Sequence, residues 1–323
     1  MSTTPGDPVG VRPDVRPEVR DELARPDLAA RAEALGFRGD DVPDLLAVAR
    51  ATLERPEDLA VVEQAAERLR RWVGTLPARD GGPVWEGLDV GEDGELAVLA
   101  LLATAPAVAA FHIGRGVPAD VSAATLADLG QQVWVHRLVS GRFGLYSHAW
   151  ETGTVWSGAL YRLGRLQLSL EEGNRVDAAG RELVISTHIP RGDSLRPADV
   201  DASLAAAQPF FARHFPEHVP EQGALAVHCQ SWMLDPRLPG LLPGSNLARF
   251  QQRWTVYGEL READADALFF GFARRGATDL ETLGALEART SLQRAVLAVW
   301  RAGAHWHLAE GRWDPDGPRP GES

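Results

Sequence analysis

Leu183-Val184-Ile185-Ser186-Thr187-His188-Ile189-Pro190-Arg191-Gly192-Asp193-Ser194-Leu195-Arg196-Pro197 is the stretch on which the fold turns. Leu183 to His188 reads as a strand. Pro197 stands where a first helical turn starts, and Asp199 and Asp201 follow where acidic groups suit the helix dipole. The helix should carry Val200, Leu204 and Phe211 and end before Pro216, with Pro209 kinking or shortening it. A strand therefore passes through a short loop into a helix. The start of a helix offers unpaired N–H groups and partial positive charge, which suit an anion. Arg191 and Arg196 add cations, and Gly192 lets a ligand approach the backbone. Two readings stand for this loop: an anion-binding turn, or an ordinary strand-to-helix connection.

Working outward, Tyr161 to Leu170 alternates apolar and polar residues and reads as a strand that forms a hairpin with 183–188. Downstream, Ala224 to Trp232 reads as a third strand, 236–251 as helical, Trp254 to Glu259 as a fourth strand, 280–302 as a long helix and His305 to Trp313 as a last strand. Strands alternating with helices argue for an α/β or α+β unit with a partly parallel sheet. The half before it is different. Asp41, Pro56 and Pro118 each open an apolar pattern at helical spacing, and helices are expected from Asp41 through Leu53, from Pro56 through Val73, and over 94–113 and 119–139. The run Leu96 to Ile113 is the most apolar of the chain, but it holds His112 and Pro106 and reads as a buried helix rather than a membrane span. Tyr146, Trp150, Trp156 and Tyr161 crowd the junction, as interface core or as the wall of a pocket. The organisation is a polar tail (1–20), a helical domain (21–150) and an α/β domain (151–315).

Composition narrows the chemistry. Acidic residues outnumber basic ones by 45 to 33, a net charge of −12. That balance disfavours nucleic acid and anionic membranes as partners. Every basic residue is arginine, so Schiff-base, P-loop and kinase-type lysines are excluded. A single cysteine, Cys229, excludes an intrachain disulfide and a cysteine-rich zinc site. Met1 to Arg20 has no apolar core of the kind a secretory signal carries, and a cytoplasmic protein is expected. No Gly-x-Ser-x-Gly surrounds a serine, which argues against an α/β-hydrolase.

The strand Val227-His228-Cys229-Gln230-Ser231-Trp232 is unusually polar. Period two puts Cys229 and His228 on opposite faces, so they do not form a nucleophile–base pair, and a lone cysteine reads as core. His228 has two readings, proton transfer or a satisfied structural histidine. His305, His307 and Glu310 fall short of a metal-ligand set, and no metal is expected.

Several blocks in order resemble one family. They are Tyr161-Arg162-Leu163-Gly164-Arg165-Leu166-Gln167, His188-Ile189-Pro190, Cys229-Gln230-Ser231-Trp232-Met233-Leu234-Asp235-Pro236, and Leu242-Pro243-Gly244-Ser245-Asn246-Leu247 with Phe250-Gln251. The chain resembles acyltransferases with a helical N-acyltransferase N-terminal domain and a GNAT-like C-terminal domain. The resemblance implies a mixed sheet whose two middle parallel strands splay apart to admit the pantetheine arm of acyl-CoA, acetyl-CoA being the expected form. Strand 183–188 would pair with that arm, with 224–232 as its splayed partner. Ile189, Arg191, Gly192, Ser194, Leu195 and Arg196 would hold the pyrophosphate, and Asn246 would touch the cofactor. The acceptor would be an amine of a small molecule or peptide. His188 or His228 would transfer the proton, with Ser231 or Tyr257 as acid. The sequence departs from the family in three places: the glycine-rich pyrophosphate signature is absent, Leu168-Ser169 replaces Phe-Glu, and Gln230 replaces His. Two alternatives follow, a protein that senses acyl-CoA without catalysis, and an enzyme whose donor is an acyl carrier protein docked on Arg191, Arg196, Arg237 and Arg253.

Overall fold

The computed structural model describes residues 18–177, 180–220 and 223–314. The first half is helical. Its longer helices are α1 (Asp41–Glu54), α2 (Pro56–Trp72), α3 (Glu95–Gly114), α4 (Ala119–Leu126) and α5 (Asp128–Ser140). α3 is long and apolar enough to cross a membrane, yet Leu96 to Ala105 is buried, packed against α1, α2 and α5. A helix that is apolar on every side belongs inside such a bundle. The sequence gives 119–139 as one helix, and the structure breaks it at Ala127. The cause is tertiary. The Gly130 N–H leaves the helical ladder and donates to the Leu35 carbonyl at 2.9 Å. A Cβ on Gly130 would lie 2.1 Å from the Gly36 backbone, so only glycine allows that approach.

The second half is one six-stranded sheet with order β1-β2-β3-β4-β6-β5. The strands are β1 (Leu160–Leu163), β2 (Leu166–Asp177), β3 (Gly180–His188), β4 (Ala226–Ser231), β5 (Trp254–Glu262) and β6 (His307–Trp313). Its helices include α6 (Pro197–His214), α7 (Asn246–Gln251), α8 (Asp264–Phe272) and α9 (Ser291–Arg301). The expected strand 161–170 is in fact a hairpin, turned by Gly164 at φ +74°. The expected helix 280–302 is a short turn, Leu280–Gly284, followed by α9, which Thr290 and Gln293 open with a reciprocal capping box. α6 runs through Pro209 to His214 without ending early.

Among the six described strands only β3 and β4 pair in parallel, and their ladder holds three pairs: Val184↔Ala226, Ile185↔Val227 and Ser186↔His228. β3 continues to His188 and β4 to Ser231, so beyond that point the two strands diverge and their facing edges share no cross-strand pairs. Ile185, Val227 and Cys229 point to one side, where Val200, Leu204, Ala207 and Phe211 of α6 cover them. Burying each such aliphatic side chain contributes roughly 1.5–3 kcal/mol, which fixes α6 across the ladder. The opposite face carries Ser186, His188 and His228.

Candidate active site

A cavity of about 550 Å³ opens where β3 and β4 diverge. The sheet lines it with Gln167, Thr187, His188, Ile189, Gln230 and Ser231, and the helical half with Gln132, Val135, Tyr146 and Trp150. The wall is mostly apolar, and Phe270 of α8 and Leu308 of β6 complete it. Burial pushes the Tyr146 hydroxyl up to about 12, so it stays protonated at neutral pH.

Of the two histidines expected to transfer a proton, His188 is the one that lines this cavity. Antiparallel register sets Gln167 opposite His188 and Ser169 opposite Ser186, so Gln167, Ser169, Glu171 and His188 share a face. Nε2 of His188 lies 2.9 Å from Glu171 Oε1 and 2.8 Å from Ser169 Oγ. The edge of the Trp150 ring closes over the imidazole at 5.8 Å between centroids. Burial pushes the Glu171 carboxyl up, but hydrogen bonds from His188 and Ser169 outweigh it and hold the group below its ordinary range. Glu171 is therefore a carboxylate at neutral pH. It accepts a hydrogen bond from Nε2–H, which leaves Nδ1 as the ring nitrogen with a free lone pair.

Glu171 was not among the residues expected from the sequence. Ser169 stands where the family often has Glu, and Glu171 supplies the carboxylate one pleat further along the same face. Period-two alternation from Gln167 could have proposed it, but its meeting with His188 depends on strand register.

The other expected residues divide. Ser231 lines the same cavity, and its hydroxyl also accepts the Met233 N–H at 3.1 Å. His228 and Tyr257 lie elsewhere. Tyr257 Oη and His228 Nδ1 are 2.9 Å apart in a second cavity of about 540 Å³, with Glu182, Thr255, Arg312 and Trp313. That cavity is on the same sheet face as His188, across the closed part of the ladder. Gln230 pairs with Glu310 at 2.9 Å. Cys229 is buried and burial pushes its thiol up, which leaves no thiolate for nucleophilic attack.

The loop expected to hold an anion is tightly anchored. Asn246 Nδ2 donates to Ser194 Oγ at 2.6 Å, and Gln131 Nε2 donates to the Arg191 carbonyl at 2.7 Å. Arg191 itself donates to the Phe270 carbonyl at 2.9 Å. Arg196, Arg237 and Arg253, expected as docking cations for a carrier protein, pair with Asp199, Asp235 and Asp201. Glu262, Asp264 and His305 converge closely enough for a metal ion. Asp264 already accepts from Trp300 Nε1 at 2.7 Å and the Trp306 N–H at 2.8 Å, so the cluster reads as a core anchor.

A helical domain, a splayed parallel pair and a strand–loop–helix turn beside it define a GNAT-type acyltransferase. Residues 26–158 match the N-acyltransferase N-terminal domain and 160–313 the GNAT-like C-terminal domain. The chain belongs to the acyltransferase family that joins these two domains. It is 34% identical to a solved acyltransferase variant in complex with octanoyl-CoA, with a TM-score of 0.76 over 91% of this chain and 93% of that one. A second solved acyltransferase, in complex with decanoyl-CoA and teicoplanin, is also 34% identical, with a TM-score of 0.75 over 91% of this chain and 92% of that one. No curated protein matches the chain.

Proposed function

We propose that the protein transfers a medium-chain acyl group from acyl-CoA to an amine of a small molecule or peptide. The observation that carries this reading is the cavity at the splay, with a mostly apolar wall and His188 on its polar side. Relatives solved with octanoyl- and decanoyl-CoA support a donor longer than acetyl-CoA, the form expected from the sequence. A relative solved with teicoplanin supports an amine on a glycopeptide as the acceptor.

In this reading the pantetheine arm enters between β3 and β4 from the loop 189–196. His188 Nδ1 takes a proton from the acceptor ammonium, and Glu171 stabilises the imidazolium that forms. The freed amine attacks the thioester carbonyl, and as the C–S bond breaks the nitrogen loses its second proton. Ser231, the expected acid that lies in this cavity, stands to relay that proton to the leaving thiolate, so that an amide and CoA thiol result.

The test is release of free thiol from acetyl-, octanoyl- and decanoyl-CoA, with teicoplanin and with simple amines. Acceptor-dependent release that is fastest with octanoyl- or decanoyl-CoA is expected. Preference for acetyl-CoA would overturn the chain length, and thermal stabilisation by acyl-CoA without turnover would turn the reading into a sensor.

A further inference from the structure

The hairpin turn Gly164-Arg165 was read only as part of a family block, yet Arg165 reaches the far side of the donor loop. It is 9% exposed. Its Nε and Nη2 donate to the Asp193 carbonyl at 3.0 and 2.6 Å, and its Nη1 donates to the Pro190 carbonyl at 3.1 Å. The backbone beneath it is fixed as well. The Arg165 and Leu166 N–H groups both donate to Ser203 Oγ of α6, at 3.0 and 3.3 Å. Gly164 makes that docking possible. It sits at φ +74°, and a Cβ there would lie 3.1 Å from the same oxygen.

The consequence falls on the loop. The carbonyls of Pro190, Arg191 and Asp193 all turn inward, onto Arg165 and Gln131. Among the described residues the N–H groups of Gly192, Asp193 and Ser194 make no hydrogen bond. Gly192 is at φ +142° with open space where a Cβ would be. Successive N–H groups left outside a turn whose carbonyls are held inside form an anion-binding concavity. The buried guanidinium under that concavity has no carboxylate within salt-bridge distance among the described residues, and Asp193 and Asp199 act on it from further away, so its part is to hold the carbonyls rather than to supply net charge.

We propose that Arg165 is a positioning residue for the acyl donor: by holding the Pro190 and Asp193 carbonyls inward it presents the N–H groups of residues 192–194 to the donor's pyrophosphate. This rests on the reading that acyl-CoA is the donor. It assigns Arg165 no contact with the reacting atoms, so its effect depends on whether the donor carries a pyrophosphate.

The experiment compares decanoyl-CoA with decanoyl-pantetheine, the same thioester without the nucleotide end. Wild type should use decanoyl-CoA far more efficiently. Arg165→Gln should lose about tenfold to a hundredfold in kcat/KM for decanoyl-CoA, mostly in KM, as expected for hydrogen bonds from a charged donor. With decanoyl-pantetheine its kcat/KM should stay within about twofold of wild type, since the remaining contacts are those of the thioester itself. Arg165→Lys, which keeps the charge and can reach one carbonyl, should fall between and guards against loss of the folded state in the first variant. Equal losses on both donors would make Arg165 a general prop of the fold, and no loss on either would remove it from the donor site. Both results overturn the proposal. A wild type indifferent to the nucleotide end would overturn the donor reading beneath it.

Discussion

Replacing Glu171 by Gln keeps the shape of the side chain and removes one charge. The carboxylate is 2.9 Å from Nε2 of the histidine that, in the proposed mechanism, becomes cationic as it takes the acceptor's proton. Both side chains are about three-quarters buried, 25% and 28% exposed, so solvent screens the pair only partly. A hydrogen bond to a charged group contributes about 1.5–3 kcal/mol. If that stabilisation belongs to the transition state, kcat falls roughly 10- to 150-fold. His188→Ala, which removes the base itself, should cost roughly 100- to 10,000-fold. Thiol release from decanoyl-CoA at saturating acceptor measures both, and KM for the donor should hardly move. The decisive comparison is the double variant. If Glu171 acts only through His188, adding Glu171→Gln to His188→Ala costs nothing more. A double variant as slow as the product of the two single losses would refute the coupling. A single-variant loss below twofold would refute the role of the carboxylate altogether.

Gly192→Ala should weaken acyl-CoA binding, seen as a smaller rise in Tm with ligand, because alanine strains a backbone at φ +142°. Tyr257→Phe and His228→Ala should leave stabilisation by acyl-CoA intact, since both residues lie in the second cavity; any loss of activity should appear as a raised KM for the acceptor. Cys229→Ala should keep kcat within about twofold of wild type, because a buried protonated thiol takes no part in the proposed chemistry. Burial raises both Asp128 and Glu151, and Asp128 raises Glu151 further, so the folded protein keeps a proton that the unfolded chain releases above about pH 4.5. Its contribution is complete below that pH and is lost as pH rises toward the folded value, at up to about 1.4 kcal/mol per pH unit; Glu151→Gln should flatten Tm between pH 5 and 8, and a Tm–pH curve parallel to wild type would count against the shared proton.

What was legible in the chain was what local chemistry decides. Pro56 and Pro197 each start a helix where the sequence puts one. The strand, loop and helix of 183–214 also follow from residues next to one another. The break at Ala127 was not legible, because the Gly130 N–H bonds to Leu35, nearly a hundred residues back. The same holds for Glu171. Its position on a strand face can be read, but its meeting with His188 requires the register of two strands. Other signals were present and passed over. Thr290-Ser291-Leu292-Gln293 has the spacing of a capping box and marks the start of α9. Asp264 and Asp266 stand in the first turn of α8, an acidic start of the kind that marks helix N-termini. The division of His188 from His228 needed the cavities themselves, since both residues lie on one face of the sheet.

Neither domain forms the site alone. The sheet supplies His188, Glu171 and Ser231, while Val135, Tyr146 and Trp150 from the helical half close the opposite wall. Gln131 of α5 also holds the Arg191 carbonyl, so the helical half shapes the donor loop directly. The same interface buries Asp128 and Glu151, and burying a carboxylate is costly unless it is hydrogen-bonded or protonated. Gln132 donates to Asp128 and also lines the cavity. Gln167, the cross-strand partner of His188, lines it too and interacts with Asp128. A shift between the domains would therefore reach His188 through Gln167, reach the donor loop through Gln131, and uncover the buried pair Asp128 and Glu151. Residues 160–313 alone would lack one wall of the cavity and one anchor of the loop, so in the proposed reading the helical domain is part of the catalytic apparatus.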